Sequence, residues 1–186
     1  MANYRELLHA RNSFPMSSNY KSSMIIQRFF FMGLDKRSLH NSRKVEIMPA
    51  YPEAYLSNVI ESQGKLFDYV AQQYADKDTM DFINAYMNSK TRASIDNAQA
   101  YVNTMDAKEL FEYFVQTDHY KLINGKAMEG FMPDWIGEFY AYYQWLYDLP
   151  SSEVIKKIPL SFLTKAYAGL HDLDLKLAVE KVGKQC

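Results

Sequence analysis

From Met48 onward, apolar residues recur three and four positions apart, the period of a helix that buries one face. Pro52 stands where a helix has no N–H bond to lose. Leu56, Val59, Ile60, Phe67, Val70 and Tyr74 then carry the stripe, with Gly64 as its weak point. Asp76 or Asp78 can cap a second helix, where Met80, Ile83 and Met87 fall on one side. Arg92, Ile95 and Asp96 form a connector that starts a short helix through Tyr101. Thr104-Met105-Asp106-Ala107 has the form of another helix start, followed by the stripe Leu110, Phe111, Phe114 and Val115. The polar stretch from Lys121 to Met132 carries turn chemistry at Asn124-Gly125 and Gly130. A hairpin tipped by Asn124-Gly125 is not expected, because only Tyr120 to Ile123 resembles a strand.

Pro133-Asp134 launches the most aromatic segment of the chain, and Pro150 stops it. Ser151-Ser152-Glu153 begins a short helix that ends before Pro159. Leu160, Leu163 and Ala166-Tyr167 mark another before Gly169. Asp172 can cap a last helix with Leu173, Leu177 and Val182 as its stripe. Six to eight short helices and no convincing strand predict an all-α domain, a single compact bundle with an irregular N-terminal arm.

Charge divides the chain in two. The 186 residues hold 21 Lys+Arg against 22 Asp+Glu, a net charge of −1. Residues 1–47 carry Arg5, Arg11, Lys21, Arg28, Lys36, Arg37, Arg43 and Lys44 against Glu6, Asp35 and Glu46, a net +5. Residues 48–186 therefore carry −6. The basic segment has Ser and Asn runs, a bare Phe29-Phe30-Phe31 and no sustained period, so it reads as an arm laid against the body. It can also be read as a basic tail for nucleic acid or an acidic partner. A third reading removes it from the natural protein. Arg43-Lys44-Val45-Glu46 is encodable by a purine-rich stretch resembling a bacterial ribosome-binding site, which predicts translation starting at Met48. The apolar run from Met24 to Leu34 is too short to cross a bilayer, which takes about 20 residues.

Composition excludes several classes. An acidic body lacks the cation surplus of a general nucleic-acid binder, so nucleic acid is expected only through residues 1–47. The lone Cys186 allows neither a disulfide framework nor a cysteine zinc site within one chain. No Gly-rich phosphate loop is present; Gly125 and Gly130 lack the strand and the Lys-Ser/Thr ending it needs. Asp118-His119 has the makings of a base with its orienting carboxylate, and His171 precedes Asp172 and Asp174. No second His sits at helical spacing to complete a metal pair. The expected protein is not an enzyme and takes no metal or cofactor. Lys90, Arg92, Asp96 and Lys156-Lys157 read as end charges on solvated faces.

Seven of the thirteen residues from Trp135 to Tyr147 are aromatic. Trp135, Ile136, Phe139, Tyr140, Tyr143 and Tyr147 cover one face, while Tyr142, Trp145 and Leu149 fall on others. A helix apolar nearly all round is central to a core or half of an interface. Trp135, Phe139, Tyr142, Tyr143, Trp145 and Tyr147 are the candidate partner-binding residues, since Tyr and Trp anchor interfaces well.

The stretches Trp135-Ile136-Gly137-Glu138-Phe139-Tyr140-Ala141-Tyr142-Tyr143-Gln144-Trp145, Pro150-Ser151-Ser152-Glu153-Val154-Ile155-Lys156-Lys157-Ile158-Pro159 and Tyr167-Ala168-Gly169-Leu170-His171 carry a resemblance. From about Trp135 to Val182 the chain resembles small helical proteins of Gram-positive gut bacteria encoded beside ADP-ribosyltransferase-like toxin genes. That resemblance implies an antitoxin or accessory role and brings no catalytic residues with it. The expectation is a non-enzymatic, cytoplasmic interaction protein that binds and neutralises a basic protein partner, with a homodimer as a further possibility. Two alternatives stay open. One is a phage- or plasmid-borne inhibitor of a host nucleic-acid-handling system that presents an acidic surface. The other is an enzyme of unrecognised type using Asp118, His119 or His171.

Overall fold

The computed structural model describes residues 53–99 and 102–184, all within one compact unit, residues 45–186. The basic segment 1–47, the Met48 start and Pro52 lie outside the described residues. Eight α-helices are described: α1 (Glu53–Gln73), α2 (Thr79–Met87), α3 (Lys90–Asp96), α4 (Ala107–Asp118), α5 (Met132–Tyr147), α6 (Ser151–Lys157), α7 (Leu160–Leu170) and α8 (Leu175–Gly183). A 3-10 turn, Val102–Thr104, precedes α4. The described residues contain no strand, only one isolated antiparallel bridge between Lys77 and Asn124. None of their helices is long and apolar enough to cross a membrane.

Short polar side chains start these helices by accepting the N–H groups that a first turn leaves unpaired. Asp78 accepts from Met80 and Asp81 at the head of α2, and Ser89 accepts from Arg92 at the head of α3. Asp106 and Glu109 form a reciprocal capping box on α4. Asp174, rather than Asp172, caps α8 through Lys176 and Leu177. Its buried stripe is Ala178, Val179 and Val182, and Leu177 is half exposed. The helix at Lys90 ends at Asp96 with Asn97 as its C-cap, short of Tyr101. Helix α7 runs through Gly169 to Leu170.

The centre of the bundle is the crossing of α1 and α5. Val59, Leu66, Phe67 and Val70 of α1 face Ile136, Phe139, Tyr140 and Tyr143 of α5 in one continuous core. Gly64 is not a weak point but part of the closest approach. A Cβ on Gly137 would lie 2.6 Å from the Gln63 carbonyl oxygen and 2.7 Å from the Gly64 Cα. Only two glycines facing each other let these backbones come so near. Gln63 locks the crossing by donating from Nε2 to the Gly137 carbonyl at 2.9 Å. Beside it, Phe67 and Phe114 meet Tyr86 edge to face, at 5.7 Å and 90° and at 5.5 Å and 83°, and Phe82 stacks on Tyr86 at 6.0 Å.

Asn124-Gly125 tips no hairpin. The turn closes instead on the α1–α2 loop, where Asp78 N–H donates to the Ile123 carbonyl and Gly125 N–H to the Asp76 carbonyl, both at 3.0 Å.

Candidate functional site

Helix α5 starts with Pro133 in its first turn, where the missing N–H costs no hydrogen bond. It ends at Asp148 in the left-handed conformation (φ 48°), which Asp tolerates better than most residues. Sixteen residues between these limits give just over four turns, enough for one face in the core and one outside.

The six aromatic candidates divide between those faces. Trp135, Phe139 and Tyr143 are buried and stack along the helix, with ring centroids 5.2 Å apart for Trp135–Phe139 and 6.1 Å for Phe139–Tyr143. They hold α5 in the core and are not available as a contact surface; Trp135 meets the Tyr167 ring of α7 edge to face at 5.4 Å. Tyr147 is half-buried, 4.4 Å from the Tyr143 ring and over Gly183 of α8, where a Cβ would collide with its hydroxyl. Tyr142 and Trp145 are also half-buried, with rings 5.8 Å apart at 54°. The Trp145 Nε1 donor is sheltered and has no hydrogen-bond partner among the described residues.

Tyr142 and Trp145 continue a stripe that begins with Asp134 and Glu138, since steps of four, four and three keep all four on one helical face. Burial pushes the carboxyl of Asp134 above its ordinary range. Asp68 and Glu61 push the same way and Lys65 opposes them. Burial also raises Glu138, reinforced by Asp134 and Glu61. Burial raises the Tyr142 hydroxyl, with Glu180, Asp174 and Glu53 adding to the effect. Asp134 and Glu138 lie along the crossing with α1, where a Cβ on Gly64 would come 2.5 Å from Asp134 Oδ1 and 3.0 Å from Glu138 Cγ, and the stripe continues as a ridge to the half-buried Tyr142 and Trp145.

Arg92 and Asp96 do not sit on a solvated face. Arg92 is 0% exposed, among the largest fully buried side chains. Its NH2 donates to Gln144 Oε1 at 2.6 Å, and its NH1 lies 3.1 Å from Asp96 Oδ1, near enough to pair but off line for a hydrogen bond. Gln144 Nε2 donates to Asp96 Oδ1 at 2.8 Å. Asp96 Oδ2 accepts from the Ser151 N–H at 3.0 Å and its hydroxyl at 2.7 Å, capping α6 from a distance. Three segments far apart in sequence thus share one charged network. Gln144 and Ser151 were not singled out from the sequence, because nothing local marks a glutamine in an aromatic helix as a partner for a buried arginine.

Asp118, His119 and His171 do not assemble into a site. The Asp118 carboxylate is occupied by the start of α3, accepting from Lys90 N–H at 2.7 Å, Thr91 N–H at 3.1 Å and the Thr91 hydroxyl at 2.7 Å. His119 is exposed at the left-handed end of α4. His171 is exposed after α7, with Nδ1 3.0 Å from the Tyr167 carbonyl and Nε2 3.2 Å from Asp172. Among the described residues no three His, Cys, Asp or Glu side chains gather as a metal ligand set.

No protein-family model, curated protein or solved structure matches the chain.

Proposed function

We propose that the protein is a non-enzymatic interaction module that binds a basic protein partner through the half-buried stripe of α5 from Asp134 to Trp145. The observation that carries this reading is the ridge itself: Asp134 and Glu138 followed on the same face by the half-buried Tyr142–Trp145 pair. Partly desolvated carboxyls that repel one another gain from a partner's Lys or Arg, and aromatic faces gain from the same cations. The −6 charge of residues 48–186 steers such a partner toward the body. The resemblance of Trp135–Val182 to toxin-linked proteins extends the reading to neutralisation of a toxin encoded beside this gene.

Affinity capture from the native host tests it, with the full chain and with Tyr142→Arg as paired baits. The wild type should retain a basic protein that the variant loses by about tenfold or more. A wild type that retains no basic protein, or a variant that retains it equally well, refutes the proposal. Co-expression with the retained protein then tests neutralisation, since an antitoxin relieves the growth arrest its partner causes.

A further inference from the structure

Asn124-Gly125 is the one Asn-Gly pair of the chain. Both residues are exposed, at the turn where the segment before α5 closes on the α1–α2 loop. Three hydrogen bonds clamp it there: the Asp78 N–H donates to the Ile123 carbonyl at 3.0 Å, the Gly125 N–H to the Asp76 carbonyl at 3.0 Å, and Lys77 Nζ to Asn124 Oδ1 at 2.6 Å. The last two bonds hold the two groups that react with each other in an Asn-Gly pair, the glycine nitrogen and the asparagine side-chain carbonyl.

The fit around Gly125 is close. A Cβ there would lie 2.5 Å from the Asp78 Cβ and 3.0 Å from the Asp78 Cα, so the contact favours glycine over every other residue. Glycine also leaves the preceding asparagine most open to attack, because no side chain screens its backbone nitrogen. The clamp thus places beside Asn124 the residue that makes it most reactive.

We infer that Asn124 is a site of spontaneous deamidation gated by opening of this clamp, and that its isoaspartyl product cannot close the clamp again. The Gly125 nitrogen bonds to Asn124 Cγ and the Cγ–Nδ2 bond breaks, the Gly125 proton leaving with the side-chain nitrogen as ammonia. Water then opens the five-membered imide, its hydroxyl going to a carbonyl carbon and its proton to the nitrogen. Opening at Cγ gives aspartate on the original main chain. Opening at the main-chain carbonyl gives isoaspartate, with an extra methylene in the main chain. While the clamp is closed, the Gly125 N–H is committed to Asp76 and the nucleophile is withheld. Local opening releases it without global unfolding. The aspartyl product keeps the register and offers Lys77 a carboxylate. The isoaspartyl product lengthens the main chain by about 1.5 Å between the Ile123 carbonyl and the Gly125 N–H. Hydrogen bonds work only over about 2.7–3.2 Å, so Asp78 and Asp76 can no longer both be met. None of this rests on the partner-binding reading of α5.

The full chain is incubated at mildly alkaline pH, native and in guanidinium chloride. Peptide mass spectrometry follows the amide-to-acid change at Asn124, and enzymatic carboxyl methylation follows isoaspartate. Native deamidation should be slower than unfolded by at least about tenfold, with matching hydrogen-exchange protection at Gly125. Asn124→Gln should stay unmodified. In the purified isoaspartyl form the Asp78 and Gly125 amides should exchange at least about tenfold faster than in the aspartyl form. Equal native and unfolded rates, an Asn124 that stays intact in both, or isoaspartyl protein with Asp78 and Gly125 still protected overturns the inference.

Discussion

Gly137→Ala tests the crossing on which the whole bundle depends. The added methyl would meet backbone on every near side: the Gln63 carbonyl oxygen at 2.6 Å, the Gly64 Cα at 2.7 Å and the Gln63 carbonyl carbon at 2.8 Å. Carbon contacts settle near about 3.5–4.0 Å, so α1 and α5 must part by roughly 1 Å. No side chain can swing aside, because the obstacles are main chain. Overpacking of this kind costs about 1–3 kcal/mol. The same separation would stretch the 2.9 Å Gln63–Gly137 hydrogen bond past its useful range, which costs about 1 kcal/mol more. Alanine's better helix propensity returns about 1 kcal/mol. The net expectation is a loss of about 2 kcal/mol, or about 4–8 °C in Tm for a chain of this size. Gly169→Ala is the matched control. It is exposed within α7 and a Cβ there would meet nothing within 4 Å, so only the propensity gain of about 0.5–1 kcal/mol remains. Urea unfolding followed by circular dichroism at 222 nm reads both variants, with equal m-values required for the comparison. A Gly137→Ala protein as stable as wild type, or more so, would refute close backbone contact between α1 and α5.

The buried network gives a second prediction: Arg92→Met should cost about 3 kcal/mol by leaving Asp96 without its cation, and adding Asp96→Asn should recover part of that loss. Urea unfolding of the two variants reads it, and a cost below about 1 kcal/mol for Arg92→Met would show that the pair is not needed. The ridge gives a third, with opposite signs for folding and binding. Asp134 and Glu138 have raised carboxyl pKa values, so the folded chain binds protons more tightly than the unfolded one. Their contribution to stability is fully present below the ordinary carboxyl range and is lost as pH rises through the raised values. Thermal unfolding should therefore show wild type gaining stability over Asp134→Asn/Glu138→Gln as pH falls from neutral toward the ordinary carboxyl range near about 4. Affinity for a basic partner should fall over the same interval as the ridge loses charge. A stability difference that does not change with pH would sink the first half, and affinity that rises on acidification the second.

The parts of the fold that were legible in the sequence are those decided within a few residues. Asp106 with Glu109, Pro133 at the head of α5 and the break at Pro150 act on their own helix ends, so spacing alone reveals them. Asp174 displaced Asp172 because two aspartates two residues apart both satisfy a cap. The choice was made by which phase buries Ala178, Val179 and Val182. Gly64 read as a weak point because a glycine in a helical pattern is unfavourable until its neighbour is known. Its neighbour, Gly137, is 73 positions away. Arg92 was illegible for the same reason. Asp96 is four residues away and in plain view, but Gln144 and Ser151, which complete the network, join it only across separations of 48, 52 and 55 residues.

The candidate site was half legible, and the half that was missed follows from the geometry of α5. Counting aromatics predicts a helix apolar on nearly every side, but it cannot say which side the core takes. Gly137 carries the contact with α1 on one flank, while the stack Trp135–Phe139–Tyr143 runs along the other flank and meets Tyr167 of α7, so both flanks of the helix are core. Between those flanks Asp134, Glu138, Tyr142 and Trp145 form one half-buried stripe, its acidic end set against Gly64 of α1. A helix that served only as core would carry ordinary solvated polar groups at these positions. Here the carboxyls are partly desolvated against their neighbours and the aromatics are partly uncovered, two costs that contact with a cationic protein surface would relieve together.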